Sequence, residues 1–393
     1  MALPLSNLGE HKLYPLCSTV RDLVVIPFGF TVDSDGAITA DDNANPPQVY
    51  VEAGVNDQAY TLKCPKGNSS KFWAHIACEE DIAATILTYS GLSSGSLTIS
   101  LSASPAGDTL MKGFLAYGRN YGEGTGAVAA APAQTQDLAS LGKHPTKSVL
   151  KQGVVFGVSW TVNGSNVVTE VRGAPGAAVE GQGSGVYWIS FDNRTPPNFP
   201  DNWSEIVNAS DGRRASISHS AVTAAGRKII IVTFEDGANM GNGEHASYLA
   251  IGSTYDWYEA NYGGESGGVH SDYVARDIGT YSQFPLLTTI PGAVFIPVRV
   301  TIASGAGGPT AASSPLAPNF RIVRASSGVY TIYIGRFLDA DLVCGFQLSG
   351  GTAIGATDWD GAAGTITLTA PGGDPGVKVL TGYILVKAGQ AEA

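Results

Sequence analysis

Gly264-Glu265-Ser266-Gly267-Gly268 fits the pattern G-x-S-x-G, and His270 and Asp272 follow closely, so the residue types of a serine hydrolase are all present in one short stretch. A nucleophile elbow needs a strand before the serine and a helix after it to hold the hydroxyl on a strained turn. This stretch lies in a glycine-rich connector with neither, and it reads as loop. Two acidic turns, Asp33-Ser34-Asp35-Gly36 and Asp358-Trp359-Asp360-Gly361, could offer carboxylates to Ca²⁺. Neither has the further acidic positions of an EF-hand loop, and Asx turns between strands account for both. His75, Glu79 and Glu80 fall in SKFWAHIACEEDIAATI, a stretch able to form a short helix. A His and a carboxylate four apart can share a metal, but two ligands do not make a zinc site.

The remaining histidines, His11, His144, His219, His245 and His270, form no constellation. Trp160, Tyr187, Trp188 and Trp203 crowd the middle of the chain, where rings could stack on sugars; alternation along strands assigns them instead to core or interface. Asn68, Asn163, Asn193, Asn202 and Asn208 begin N-x-S/T triplets, which matter only in a secreted eukaryotic chain. No catalytic, cofactor-binding or metal-ligating residue is assigned.

The elements that carry these residues are set by composition. Hydrophobic residues make up 44% and charged residues 15% of 393, so the chain can bury more than one core. Fifty glycines and short alternating runs between turn signals predict an all-β protein. A net charge of −11 argues against a nucleic-acid partner, which would require a basic surface. The start, MALPLSNLGEHKLYP, lacks the pattern of a secretory signal, and no apolar run is long enough to span a bilayer. Cys17, Cys64, Cys78 and Cys344 show no metal-type spacing and are expected as free buried thiols in a reducing compartment.

A repeat is visible along the chain. Tyr14-Pro15-Leu16 aligns with Phe284-Pro285-Leu286, and Ala59-Tyr60-Thr61-Leu62 with Val329-Tyr330-Thr331-Ile332, both 270 positions apart. Gly113-Phe114-Leu115 meets Gly382-Tyr383-Ile384 one residue short of that spacing. The middle third joins through Val155-Phe156 against Val294-Phe295, Ser247-Tyr248-Leu249 against Gly382-Tyr383-Ile384, and Ser184-Gly185-Val186-Tyr187 against Ser327-Gly328-Val329-Tyr330.

The expectation is three tandem diverged β-sandwich or jelly-roll-like domains: copy 1 over 1–120, copy 2 over 145–252 and copy 3 over 285–393. Connectors span 121–144 and 253–284. Each copy begins with an apolar strand (LVVIPFGF, GVVFGVSW, AVFIPVRV), places its Tyr on a central strand and ends in a hairpin. In copy 3 that hairpin is TITLTAPGGDPGVKVLTGYILVKAG. Strict alternation predicts sheets buried on one face only. Three copies can close round a pseudo-threefold axis or line up as a rod.

The style of SSGVYTIYIGRF, TITLTAPGG and GYILVKAG resembles β-rich virion proteins of tailed bacteriophages, particularly head decoration or cement proteins. The resemblance implies a non-enzymatic structural protein on the outer surface of a phage capsid, assembled in the host bacterial cytoplasm. Its partners would be the major capsid protein and neighbouring copies, with no cofactor, nucleic acid, membrane or small-molecule substrate. The connector aromatics Tyr121, Tyr255, Trp257, Tyr258 and Tyr262 are the expected contact residues. A tail, baseplate or fibre component is the alternative, and a carbohydrate-binding adhesin a further one. Long stalk repeats, heptads and collagen-like triplets, which fibres use, do not occur in the chain.

Ser266→Ala is expected to leave the folded protein unchanged, with no labelling of Ser266 by a fluorophosphonate probe; covalent labelling at that serine would restore the hydrolase reading.

Overall fold

The structure is a computed structural model. It describes residues 13–20, 22–40, 50–53, 58–63, 72–78, 87–93, 96–101, 104, 107–117, 143–150, 153–173, 177–191, 204–219, 229–253, 284–302, 312–314, 317–336, 343–349, 354–370 and 372–387. These residues form strands and turns, and no helix occurs among them. The first third holds β1 (Tyr14–Ser18), β2 (Val24–Val32), β3 (Ile38–Ala40), β4 (Tyr50–Ala53), β5 (Ala59–Lys63), β6 (Phe72–Cys78), β7 (Leu87–Ser93), β8 (Ser96–Leu101) and β9 (Thr109–Tyr117). The second holds β10 (His144–Pro145), β11 (Lys147–Ser148), β12 (Gly153–Val162), β13 (Val168–Gly173), β14 (Ala177–Gly183), β15 (Val186–Phe191), β16 (Ser204–Ala209), β17 (Ala215–His219), β18 (Ile230–Phe234) and β19 (His245–Ser253). The last holds β20 (Phe284–Pro285), β21 (Leu287–Thr288), β22 (Ala293–Ile302), β23 (Ala312–Ser314), β24 (Ala317–Ser326), β25 (Val329–Tyr333), β26 (Val343–Leu348), β27 (Gly355–Asp360), β28 (Thr365–Thr369) and β29 (Lys378–Lys387).

One order of pairing recurs in all three thirds. The long first strand pairs with the last, and the last with a middle strand: β2-β9-β6, β12-β19-β16 and β22-β29-β26 form the inner sheet of each third, the latter two continuous through β1 and β11 as one ten-stranded sheet. A second set forms three outer sheets, β4-β5-β8-β7, β14-β15-β18-β17 and β24-β25-β28-β27, with β23 added to the edge of the last. Between each inner and outer sheet lies a separate apolar core. Tyr60, Tyr187 and Tyr330 occupy corresponding places on β5, β15 and β25, opposite Ile99, Val232 and Leu368, and all three are fully buried.

Outer strands follow the alternation that the sequence predicts: β18, β25 and β28 bury every second residue. The inner strands do not, because both of their faces are covered. In β12, Val154, Phe156, Val158, Trp160 and Val162 enter the core of that third, while Val155 faces a fourth cluster shared by all three. Burial on both faces is why these segments read as continuous apolar runs.

Two further expectations are corrected. TITLTAPGGDPGVKVLTGYILVKAG is not a hairpin: β28 pairs with β25 and β27, whereas β29 pairs with β22 and β26. Each of the two strands buries apolar side chains in one core from opposite sheets, so the Pro-Gly segment is a crossover between sheets. Asp374 within it accepts hydrogen bonds from Gly328 N (3.0 Å), Arg324 Nε (3.0 Å) and Tyr330 Oη (3.2 Å), and pairs with Arg324 Nη2 at 2.5 Å. Those bonds, led by Arg324, hold the carboxyl well below the usual range, and burial with the adjacent carboxylate pushes the Tyr330 phenol up to about 12. The stretch containing His75 begins as the strand β6, which pairs with β9 from Phe72 to Cys78, so ladder bonding overrides local helical character there; Glu79 and Glu80 lie outside the described residues.

His245, at the start of β19, is fully buried, and desolvation first, then nearby Arg172, lowers its pKa to about 3. The unfolded chain takes up a proton near pH 6.5, which the folded chain refuses until about pH 3. The contribution is intact above pH 6.5 and is lost as pH falls toward 3, at up to about 1.4 kcal/mol per pH unit. His245→Leu should therefore flatten the fall in urea midpoint between about pH 6.5 and 4.5 relative to the parent; equal slopes would contradict it.

Candidate functional site

The three thirds meet through three short lead segments: Tyr14-Pro15-Leu16-Cys17-Ser18, His144-Pro145-Thr146-Lys147-Ser148 and Phe284-Pro285-Leu286-Leu287-Thr288. Proline at the second position fixes φ in the extended range and offers no N–H to an edge. A hydroxyl at the fifth position ends each segment in the same way. Ser18 Oγ accepts from Val20 N (3.0 Å), Ser148 Oγ from Leu150 N (3.2 Å) and Thr288 Oγ1 from Ile290 N (3.3 Å), turning the chain toward the long inner strand.

Between these ends the segments bond in a closed cycle. Leu16 N donates to Thr146 O (3.0 Å), Thr146 N to Leu286 O (2.8 Å) and Leu286 N to Leu16 O (2.9 Å). Antiparallel pairs flank the cycle: Tyr14 and Pro15 with Ser148 and Lys147, His144 and Pro145 with Thr288 and Leu287, and Cys17 and Ser18 with Pro285 and Phe284. Each segment also adds in parallel to the inner sheet of the following third: β1 to β12, β11 to β22, and β21 back to β2. The chain therefore closes on itself as a ring of three.

An apolar cluster lies on the axis of this ring. Phe114, Phe295 and Tyr383 have ring centroids 5.1 to 6.3 Å apart, with Leu16, Leu150 and Leu286 packed into the same cluster. Burial pushes the Tyr383 phenol well above its usual pKa. Around the axis, β16 lies against β29, β26 against β9 and β6 against β19, always from one third to the next.

The side chains on these seams differ. Between the second and last thirds, Ser204 Oγ donates to Gly382 O (2.6 Å) and accepts from Gly382 N (2.9 Å). Thr381 Oγ1 donates to Glu205 O (2.7 Å), and Gln347 accepts from Val207 N (3.0 Å) while donating to Ala215 O. Glu205 is buried; its carboxylate accepts from Tyr248 Oη (2.6 Å) and lies 3.8 Å from Arg299 Nη1. Burial, followed by that carboxylate, drives the Tyr248 phenol well above its usual range. Between the last and first thirds, the buried Lys112 places its ammonium 4.6 Å from the Trp359 ring centre, and the cation is held against the ring face.

Of the residues singled out by sequence, Trp160 and Tyr187 are core, Trp188 is exposed on an outer sheet, and Cys17 and Cys344 are free thiols. Burial pushes the Cys17 thiol up. Asp33 Oδ1 accepts from Asp35 N (2.9 Å) and Ala37 N (2.8 Å), and Asp360 Oδ1 from Ala363 N (2.8 Å), so both carboxylates cap turns. Ser266, His270, Asp272, Trp203 and the connector aromatics Tyr121, Tyr255, Trp257, Tyr258 and Tyr262 lie outside the described residues. Among the described residues no group of three His, Cys, Asp or Glu side chains could hold a metal ion. Sequence reasoning missed the lead segments as a site. The signal was present in Tyr-Pro, His-Pro and Phe-Pro, each followed three positions later by Ser or Thr.

No protein-family model matches the chain, and no curated protein or solved structure matches it either.

Ser204→Ala leaves both backbone groups of Gly382 without the hydroxyl and should cost about 1–3 kcal/mol in urea unfolding while the fold is retained. Gly382→Ala should cost more, because its Cβ would overlap the Phe346 ring and the Gly345 carbonyl. A Gly382→Ala protein as stable as the parent would contradict this packing.

Proposed function

We propose that the chain is three diverged copies of one β-sandwich domain, and that it is a non-enzymatic structural protein of a tailed-phage virion. In this reading it sits on the outer surface of the capsid and bridges capsomers. The observation that supports it is the cyclic closure of the lead segments, Leu16 to Thr146 to Leu286 and back. A ring of three similar units presents three similar faces, which is the form that fits a lattice point where three capsomers meet. A rod would offer its units to successive sites along a line instead.

Pressure from packaged DNA pulls capsomers apart, and a ring gripping several of them adds contact where the shell is weakest. Each grip would bury on the order of 800 Å² per partner, and three on one chain act at high effective concentration, so each can be individually weak. The lead segments and inner sheets are consumed in closing the ring. Partner contact then falls to outer sheets and connectors, where Tyr121, Tyr255, Trp257, Tyr258 and Tyr262 are the proposed anchors.

Changing Trp257 and Tyr258 together to Ala should leave the isolated protein folded, reduce its occupancy on particles and lower their tolerance to heat. Particles that lack the protein, withstand heat and osmotic shock normally and fail to attach to cells would replace the capsid role with a tail or receptor-binding one.

A further inference from the structure

The pairing pattern recurs three times, so the molecule contains its own comparison of what the fold requires and what one unit adds. Counting from the buried tyrosines, the next residue outward is Thr61 on β5, Trp188 on β15 and Thr331 on β25. The same outer sheet is built twice with threonine at this place. An indole there, 38% exposed, is thus not a requirement of the sheet. Among the side chains whose burial is described, it is one of three large hydrophobic ones that are exposed, with Val167 and Val377, and the aromatic one of them.

Its surroundings have a definite chemistry. Across the sheet Trp188 stands in one outward row with Glu180 on β14, Ile231 on β18 and Ser218 on β17. Directly opposed side chains on antiparallel strands stand about 5 Å apart at Cβ. The carboxylate of Glu180 is exposed and has no hydrogen bond or ion pair among the described residues. At flanking positions, Ser190 on β15 and Thr233 on β18 carry short side chains.

We infer that this row is a saccharide platform, with Trp188 stacking on the apolar face of an uncharged sugar ring and Glu180 accepting hydrogen bonds from adjacent hydroxyls. An indole supplies an extended flat apolar surface, and a free carboxylate beside it supplies two acceptor oxygens for vicinal hydroxyls. A sugar ring has one apolar face of C–H groups and a rim of hydroxyls, which matches that pairing. Charge selects among sugars: with Glu180 at the edge and a net charge of −11, acidic saccharides are repelled and neutral ones are not. The platform does not depend on the capsid role proposed above, since it uses an outer sheet of one unit only.

Saturation-transfer NMR on the intact protein with maltohexaose, cellohexaose, chitohexaose and mannohexaose tests it. At least one should receive transfer from the protein. Trp188→Thr, which installs the residue of the other two units, should melt with the parent and weaken that binding by about tenfold, equivalent to 1.4 kcal/mol. Glu180→Gln, which keeps the size and removes the charge, should weaken it less and reduce discrimination against an acidic oligosaccharide such as hexagalacturonate. Absence of transfer from all four, or transfer unaltered by Trp188→Thr, overturns the platform. So does shielding of Trp188 from a fluorescence quencher by purified capsids but by none of the sugars, which would make the indole a protein contact.

Discussion

Three backbone hydrogen bonds, from Leu16 to Thr146 to Leu286 and back, settle what the rest of the chain can do. Each long inner strand has one edge to hide. In β12, residues Val158 to Val162 are covered by β13, while Gly153 to Val155 are covered by β1 from the preceding third. An uncovered strand edge is a template for pairing with another chain. Passing each lead segment to the following unit removes that hazard at three places at once, and the last unit must reach the first for the scheme to close. Closure in turn brings Val25, Val155 and Phe295 to one axis and gives the inner sheets their second buried face.

The ring is nearly threefold in its backbone and not in its side chains. Main-chain bonds at the axis are the same whether the residue is leucine or threonine, so position 146 could change without loss of the cycle. The seams differ further: hydroxyls, an amide and the buried Glu205 join the second and last thirds, whereas a cation on an aromatic ring joins the last to the first. Buried polar bonds of this kind fix how two sheets lie on each other, because each unmade bond leaves a desolvated group behind. Distinct seams keep each lead segment assigned to its own neighbour.

The all-β class was legible in the sequence because short alternating runs mark it, and the matching places of Tyr60, Tyr187 and Tyr330 on β5, β15 and β25 were legible from the residues around each Tyr. Register was less so. The sequence places Val155 on Val294 and Tyr248 on Tyr383; the ladders instead put Val155 with Phe295 and Leu249 with Tyr383. A slip of one residue exchanges the two faces of a strand, so Tyr248 enters a unit's own core and Tyr383 the axis. Hydrophobic pattern normally fixes register, but it cannot do so in a strand that is apolar on both faces. The lead segments were hidden for a related reason: they bond to residues more than a hundred positions away, and no local periodicity reports that. The exposed Trp188 was visible as an aromatic, yet its outward direction follows only from the register of β15.

Internal recurrence also decides questions of chemistry that a single site leaves open. Asp33, in one of the two acidic turns, sits at the head of the turn joining β2 to β3, and the corresponding residue between β12 and β13 is Asn163. Asn163 Oδ1 accepts from Ser165 N and Val167 N at 3.0 Å each, the same two positions that Asp33 Oδ1 serves in its own turn. Thr39 and Thr169 then bond back to Thr31 O and Thr161 O at matching places. An amide performs the whole hydrogen-bonding task of the carboxylate, so the turn itself requires an acceptor oxygen and not a charge. The same comparison applies at the Trp188 position: two units show that threonine suffices for the sheet, so the indole is left to be explained by something outside it.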